Sequence, residues 1–194
     1  MPRRDSRDTP GRILDVAERL LQVRGFNGFS YADVAAELRI RNASIHHHFP
    51  TKTDLGMQLL ERYRERFGQA LETIDRNGAD ARRKLRQYAR LYADVVREKN
   101  RMCLCGMLAS DLGTLPRPMR KGVKAFFDDN EKWLGRVLEE GRKSGGLRFE
   151  GPSRLHARLV LSSLEGAMLV ARSYEDVSRF ESVAERLFED LEAR

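Results

Sequence analysis

Cysteine and long apolar runs are what this 194-residue chain most lacks. Its two cysteines, Cys103 and Cys105, are too few and too close together for the disulfide framework of a small secreted domain. On a helix their side chains would diverge by about 200°, a poor geometry for a bond between them. Apolar stretches such as 123–127 are short and broken by charge, here Lys124, far below the ~20 residues of a bilayer span. The leading segment MPRRDSRDTP is basic but has no apolar run of the secretory-signal kind. No membrane partner is therefore expected, and the expected location is the cytoplasm. Strict alternation of apolar and polar residues is missing as well, so no sheet is expected. There is no glycine-rich phosphate loop, no Cys-x-x-Cys pair and no nucleophile with a His–carboxylate escort. Catalytic residues, a metal and a cofactor are accordingly not expected.

What is present is helical periodicity. Apolar residues make up 41% of the chain and charged residues 34%, enough for a core and an ordinary wet surface. The net charge of +7 favours polyanionic partners. Residues 1–66 carry 12 Lys/Arg against 9 Asp/Glu, so the excess is not concentrated there. Arg3, Arg4 and Arg7 read as a tail that adds non-specific attraction. A first helix is expected near Pro10, with Ile13, Ala17, Leu20 and Leu21 as its apolar stripe and Gly25 placed to end it. Ser30 reads as an N-cap, with Asp33 three residues on, for a second helix whose inner face is Tyr31, Val34, Ala35 and Leu38. The turn Arg39-Ile40-Arg41 leads to a third helix near Asn42–His48. Pro50 breaks it, and Thr51 caps a longer helix carrying Leu55, Leu59, Tyr63 and Phe67. After Asn77-Gly78 the pattern restarts over residues 81–97, 103–111, 119–143, 153–172 and 177–193. The expected fold class is all-α with about nine helices. An N-terminal three-helix helix-turn-helix domain, residues 7–67, precedes a larger helical domain, residues 68–194.

The third helix carries the sharpest signal. With 100° per residue and Ile45 facing the core at zero, Phe49 lies at about 40° and Asn42 at about 60°. Ala43, Ser44, His46 and His47 fall between about 100° and 260°, on the outer side, and His48 lies near the core edge. Short residues at 43 and 44 let a backbone approach a groove floor, and Asn42 can offer a donor and an acceptor to an adenine edge. The helix N-terminus turns amides toward phosphate. Adjacent histidines point about 100° apart and cannot converge on one ion, so the His46-His47-His48 run is not read as a metal site.

Residues 12–55 resemble the DNA-binding domain of TetR-family transcriptional regulators. The resemblance rests on ILDVAERLL (13–21), Arg24-Gly25-Phe26, Ser30, Asp33-Val34-Ala35, Ile45, His48-Phe49, Lys52 and Leu55. It implies that Ser30, His46, His47, His48 and Lys52 meet phosphates, while Asn42 and Ala43 approach bases. The sequence departs from the family pattern at Arg39, where a turn glycine is usual, and at Arg41, where a capping serine is usual. His46 replaces the usual tyrosine. Arg39 requires a positive φ or a different turn. Arg41 loses a capping oxygen but brings a cation able to reach backbone or base.

In the second half Cys103 and Cys105 lie among Met102, Leu104 and Met107. They can be small buried hydrophobes, a thiol sensor made reactive by Arg97, Lys99 and Arg101, or metal ligands. His156 reads as a surface or interface residue. Ser162, Ser163, Gly166 and Ala167 give one helix a low profile, and Phe180, Val183, Leu187 and Leu191 form a stripe on the last. The resemblance implies that these two helices pair with a second copy in a four-helix bundle. Between head and bundle, Tyr88, Tyr92, Cys103, Met107, Leu108, Phe126, Phe127, Trp133 and Met168 are candidate pocket residues. The reading is a homodimeric, ligand-responsive regulator, a repressor released from a near-palindromic double-stranded operator by a small apolar or aromatic inducer. One alternative is a repressor that senses oxidants or electrophiles through Cys103 or Cys105. Another is a helical binding protein or enzyme without DNA function.

Overall fold

The computed structural model describes residues 9–78, 80–98 and 101–192. Arg3, Arg4, Arg7 and Lys99, named above, lie outside them. The described residues form nine helices: α1 (Thr9–Arg24), α2 (Tyr31–Leu38), α3 (Asn42–His48), α4 (Lys52–Arg76), α5 (Ala81–Arg97), α6 (Leu104–Ser110), α7 (Arg117–Lys143), α8 (Ser153–Ser173) and α9 (Val177–Glu189). The one extended pairing among them is an isolated bridge between Leu147 and Glu192. The all-α expectation is met. No helix among the described residues is long and apolar enough to cross a membrane.

Two compact units emerge, and they are not contiguous in the sequence. One joins the chain up to Arg64 with Leu104–Val123; the other joins Glu65–Cys103 with the chain from Lys124 onward. A single cut after residue 67 therefore does not separate them, because α6 and the start of α7 pack with the N-terminal helices.

In the first unit α1 buries Ile13, Ala17, Leu20 and Leu21 and packs against α2, α3 and α6. Gly25 ends α1 at φ +82°, the left-handed region where a side chain costs most. A Cβ there would also lie 3.0 Å from Asp111 Oδ2. Helix α4 opens on a reciprocal cap. The Thr51 amide donates to Asp54 Oδ2 at 2.9 Å, and the Asp54 amide donates to Thr51 Oγ1 at 3.1 Å.

The second unit is built on α5, which is capped by Asp80 and buries Leu85, Tyr88, Ala89, Tyr92, Ala93 and Val96. Asp75 fastens α4, α5 and α7 together within it. Its Oδ2 accepts from Trp133 Nε1 at 3.1 Å and Arg136 Nη2 at 2.7 Å, and Lys84 Nζ lies 3.2 Å from Oδ1. Burial works against this carboxylate, but the three donors outweigh it and hold its pKa below the usual range.

Helix α9 corrects one expectation. Its inward residues are Phe180, Ala184 and Phe188, four apart, followed by Leu191, and they pack toward α5 and α8. Phe180 and Leu191, expected on a surface for a second copy, are thus buried within the chain. Val183 stays exposed and Leu187 half-buried. A strict i, i+4 run drifts slowly around the helix, and α5 and α8 engage that stripe rather than the 180/183/187/191 one.

Candidate nucleic-acid interface and effector core

The reading head is assembled from local rules. Ser30 and Asp33 form a capping box: the Ser30 amide donates to Asp33 Oδ2 at 2.7 Å, and the Asp33 amide donates to Ser30 Oγ at 3.4 Å. The hydrogen bonds from Ser30 hold the Asp33 carboxyl below its ordinary pKa, with Arg24 adding to the effect. Arg39 closes α2 in the left-handed conformation, φ 55° and ψ 48°, where the amide donates back to Ala35 and Ala36. The turn keeps the geometry that glycine would favour and places an exposed arginine in it. Arg41 occupies the N-cap of α3 without a side-chain cap.

Helix α3 turns as its periodicity requires. Ile45 and Phe49 are buried, while Arg41, Asn42, Ala43, His46, His47 and His48 are exposed and Ser44 is half-buried. Tyr31 locks the helix from below by donating its hydroxyl to the Phe49 carbonyl at 2.8 Å. Burial, with Asp54 nearby, pushes this phenol up to about 12, so it remains a donor. The Tyr31 ring meets His46 edge to face at 4.7 Å, and His46 Nδ1 lies 3.2 Å from the Pro50 carbonyl. His46 is thus partly committed to the head's own structure; His47 and His48 contact each other's rings.

Lys52 departs from the expectation of a phosphate-facing cation. Its ammonium donates to the Phe26 carbonyl at 2.5 Å and to the Phe29 carbonyl. It also lies over both rings, 4.7 and 4.4 Å from their centroids. Burial lowers its pKa, partly offset by Asp111 and Asp33. At the same turn, Asp111 Oδ2 accepts from the Phe26 amide at 2.7 Å.

The pocket candidates divide between the two units. Met107 and Leu108 belong to α6 in the first unit, where Met107 lies beside Gly25. Tyr88, Tyr92, Phe126, Phe127 and Trp133 come together in the second unit with Phe67. Phe67 meets Tyr88, Tyr92 and Phe126 at 6.0, 5.7 and 5.2 Å, and Trp133 stacks on Tyr88 at 5.4 Å. Cys103 and Met168 are fully buried in the same unit.

Two polar residues that the sequence reading missed sit in this core. Asn130 Oδ1 accepts from the Tyr88 hydroxyl at 2.8 Å, and its Nδ2 donates to the Phe126 carbonyl at 2.8 Å. Tyr88 spends its single proton on Asn130, so the 3.0 Å contact between the two hydroxyls carries the Tyr92 proton toward Tyr88. Glu165, on α8, has both carboxylate oxygens buried with no nitrogen or oxygen donor. It interacts electrostatically with Tyr88, Tyr92 and Cys103. Burial pushes its pKa up to about 7, against a smaller lowering by the thiol. The signal was available, because Glu165 lies four residues after Leu161 and three before Met168, on α8's apolar stripe.

A capped α2, a tight turn and an α3 with one anchored side and one exposed polar side define a helix-turn-helix DNA-binding head. Residues 13–56 match the family described as "Bacterial regulatory proteins, tetR family". A TetR-family regulator from Agrobacterium tumefaciens is 34% identical, with a TM-score of 0.93 covering 96% of this chain and 99% of that one. A second, from Legionella pneumophila, is 32% identical, with a TM-score of 0.86 covering 99% and 100%. The repressor DhaR of Mycobacterium sp. (strain GP1) is 24% identical over 184 residues, 90% of each chain. The chain belongs to the TetR family and is a DNA-binding transcriptional regulator.

Two stability changes follow. Arg39→Gly relieves a left-handed side chain and should raise unfolding free energy by about 1 kcal/mol in urea titration. For Glu165 the folded chain holds the proton more tightly than the unfolded chain, whose value is 4.5. Its favourable contribution is complete below pH 4.5 and lost as pH rises through about 7. Wild-type protein should therefore lose on the order of 3 kcal/mol from this group between pH 4.5 and 8. Urea unfolding of Glu165→Gln at pH 5 and 8 should lack that loss and exceed wild type at pH 8.

Proposed function

We propose that the chain is a homodimeric repressor that holds a near-palindromic operator and releases it when a small apolar or aromatic inducer occupies the second unit. The observation that carries this reading is the exposed outer face of α3, anchored behind by Ile45 and Phe49. Asn42, Ala43, Ser44 and His47 approach base edges, while Arg41, Ser30, His46 and His48 meet the backbone at the flanks. Lys52 acts indirectly, by shaping the turn before α2.

Pairing is supported by what α8 leaves in water. Leu155, Leu159, Leu169, Val170 and Tyr174 are all exposed, as is Val183 on α9. Beside Val170 and Val183 runs a groove of about 430 Å³ lined also by Ser163, Gly166, Ala167, Arg179 and Ser182. An apolar surface of this extent marks an interface, and small residues in its floor admit a close helix. The occupant is a second copy, since one recognition helix makes too few base contacts and a twofold pair reads two half-sites. An inducer that binds better to the splayed arrangement lowers operator affinity by that difference. The Phe67–Tyr88–Tyr92–Phe126–Trp133 cluster supports an apolar or aromatic one. This reading places the protein in the cytoplasm and gives it no catalytic role.

Two measurements test it. Asn42→Ala/His47→Ala should lose most operator affinity in gel shifts with the protein's own upstream DNA while sedimenting as a dimer; undiminished binding would sink the assignment of the reading face. Leu169→Glu should yield folded monomers in ultracentrifugation and lose operator binding with them.

A further inference from the structure

We propose that Arg39, in the turn between α2 and α3, binds a phosphate of the operator backbone, and that this contact is why an arginine stands in a left-handed position. The proposal rests on the operator reading above and adds to it a DNA contact outside α3.

The turn itself does not need this side chain. Two amides close it: Arg39 donates to the Ala36 carbonyl at 3.3 Å, and Ile40 donates to the Ala35 carbonyl at 3.0 Å. This is the paired pattern by which a helix ends on a left-handed residue, a place suited to glycine and then to asparagine. Arg39 holds it at φ 55°, one of two non-glycine residues with positive φ among the described residues. A Cβ in that region crowds the neighbouring carbonyl oxygen. Arg39 is exposed, and among the described residues its guanidinium has no hydrogen bond or ion pair. What the chain offers it is the negative end of the α2 dipole, a weak attraction at a wet surface. A strained residue that the fold does not require points to function.

The distribution of charge around the reader says which function. Residues 39–53 contain no Asp or Glu, and their permanent cations are Arg39, Arg41 and Lys52. Lys52 is turned inward onto the Phe26 and Phe29 carbonyls. Helix α3 has no Lys or Arg of its own. On α2 the carboxylates of Asp33 and Glu37 are paired with Arg24 and Arg19 of α1, so neither neutralises the turn. Within this stretch the exposed permanent cations are therefore Arg39 and Arg41, both at the approach to Asn42, where α3 begins.

A duplex answers that charge with its backbone. Cations that neutralise phosphates supply the salt-dependent part of affinity. Arg39 lies in the turn, outside the face of α3 that meets base edges, and backbone contacts of this kind set register while leaving the sequence unread. A guanidinium also matches two phosphate oxygens with two parallel hydrogen bonds, which an ammonium cannot do.

The test uses the full chain and a duplex that the wild-type protein selects from a random-sequence library. Affinity is followed by fluorescence anisotropy from about 50 to 200 mM salt. Arg39→Gly should resist urea better than wild type yet bind the selected duplex roughly tenfold more weakly or worse. Its slope of log affinity against log salt should flatten by about 1 for each lost contact, hence by about 2 for a dimer on two half-sites. Arg39→Asn, which tolerates the left-handed turn without a charge, should flatten the slope equally. Arg39→Lys should keep the slope and lose affinity with the guanidinium fork. A wild-type slope in both Arg39→Gly and Arg39→Asn would assign the arginine to the end of α2 alone and overturn the proposal. A different base sequence selected by Arg39→Gly would make the residue a base reader and overturn it as well. Should the wild-type protein enrich no sequence, the operator reading itself fails, and this contact with it.

Discussion

The ammonium of Lys52 and the carboxylate of Asp111 both grip one short turn, and the geometry of the reading head follows from that grip. Residues 25–29 connect α1 to α2, beginning with a left-handed glycine. Asp111 takes the Phe26 amide; Lys52 takes the Phe26 and Phe29 carbonyls and lies across both rings. Main-chain groups in a half-buried turn are thereby paired with charged partners, which make the stronger class of hydrogen bond. The turn sets where α2 begins, α2 presents Tyr31, and Tyr31 holds the end of α3 through the Phe49 carbonyl. A cation that looks available for phosphate is instead the reason the exposed residues of α3 stand where they do.

The second unit shows the opposite economy. Its aromatic cluster is held by a one-way ladder of hydrogen bonds that ends on a main-chain carbonyl, fully satisfied along its length. Glu165 stands outside that ladder and gains nothing from it. A core that satisfies three polar side chains and leaves a fourth wanting is not optimised for stability alone.

Most of the head was legible in the sequence because it obeys local rules. Ser30 and Asp33 are a cap at fixed spacing, and Ile45 and Phe49 share a face by helical period. A residue before a short helix, such as Arg41, either caps or does not. Lys52 was not legible, since its partners are carbonyls brought near by the turn and no periodicity reports them. On α9 two overlapping stripes contain Phe180, and only the packing of α5 and α8 chooses the one through Ala184 and Phe188. Asn130 and Glu165 were passed over because polarity was read as exposure. Their positions, four residues after Phe126 and Leu161, already placed them on buried faces. The grouping of α6 with the N-terminal helices had no local signature at all, being a matter of long-range contact.

That grouping bears on how the molecule can be divided. The turn at 25–29 draws one of its two charged holders from residue 111, beyond some forty residues assigned to the other unit. A fragment ending after α4 would keep every exposed side chain of α3 and lose Asp111, Met107 and the cover of α6 over α1. The reader is thus a composite of two distant stretches of chain, and the intervening helices are inserted into it rather than appended to it. Inheritance of the head by recombination would have to carry both stretches together.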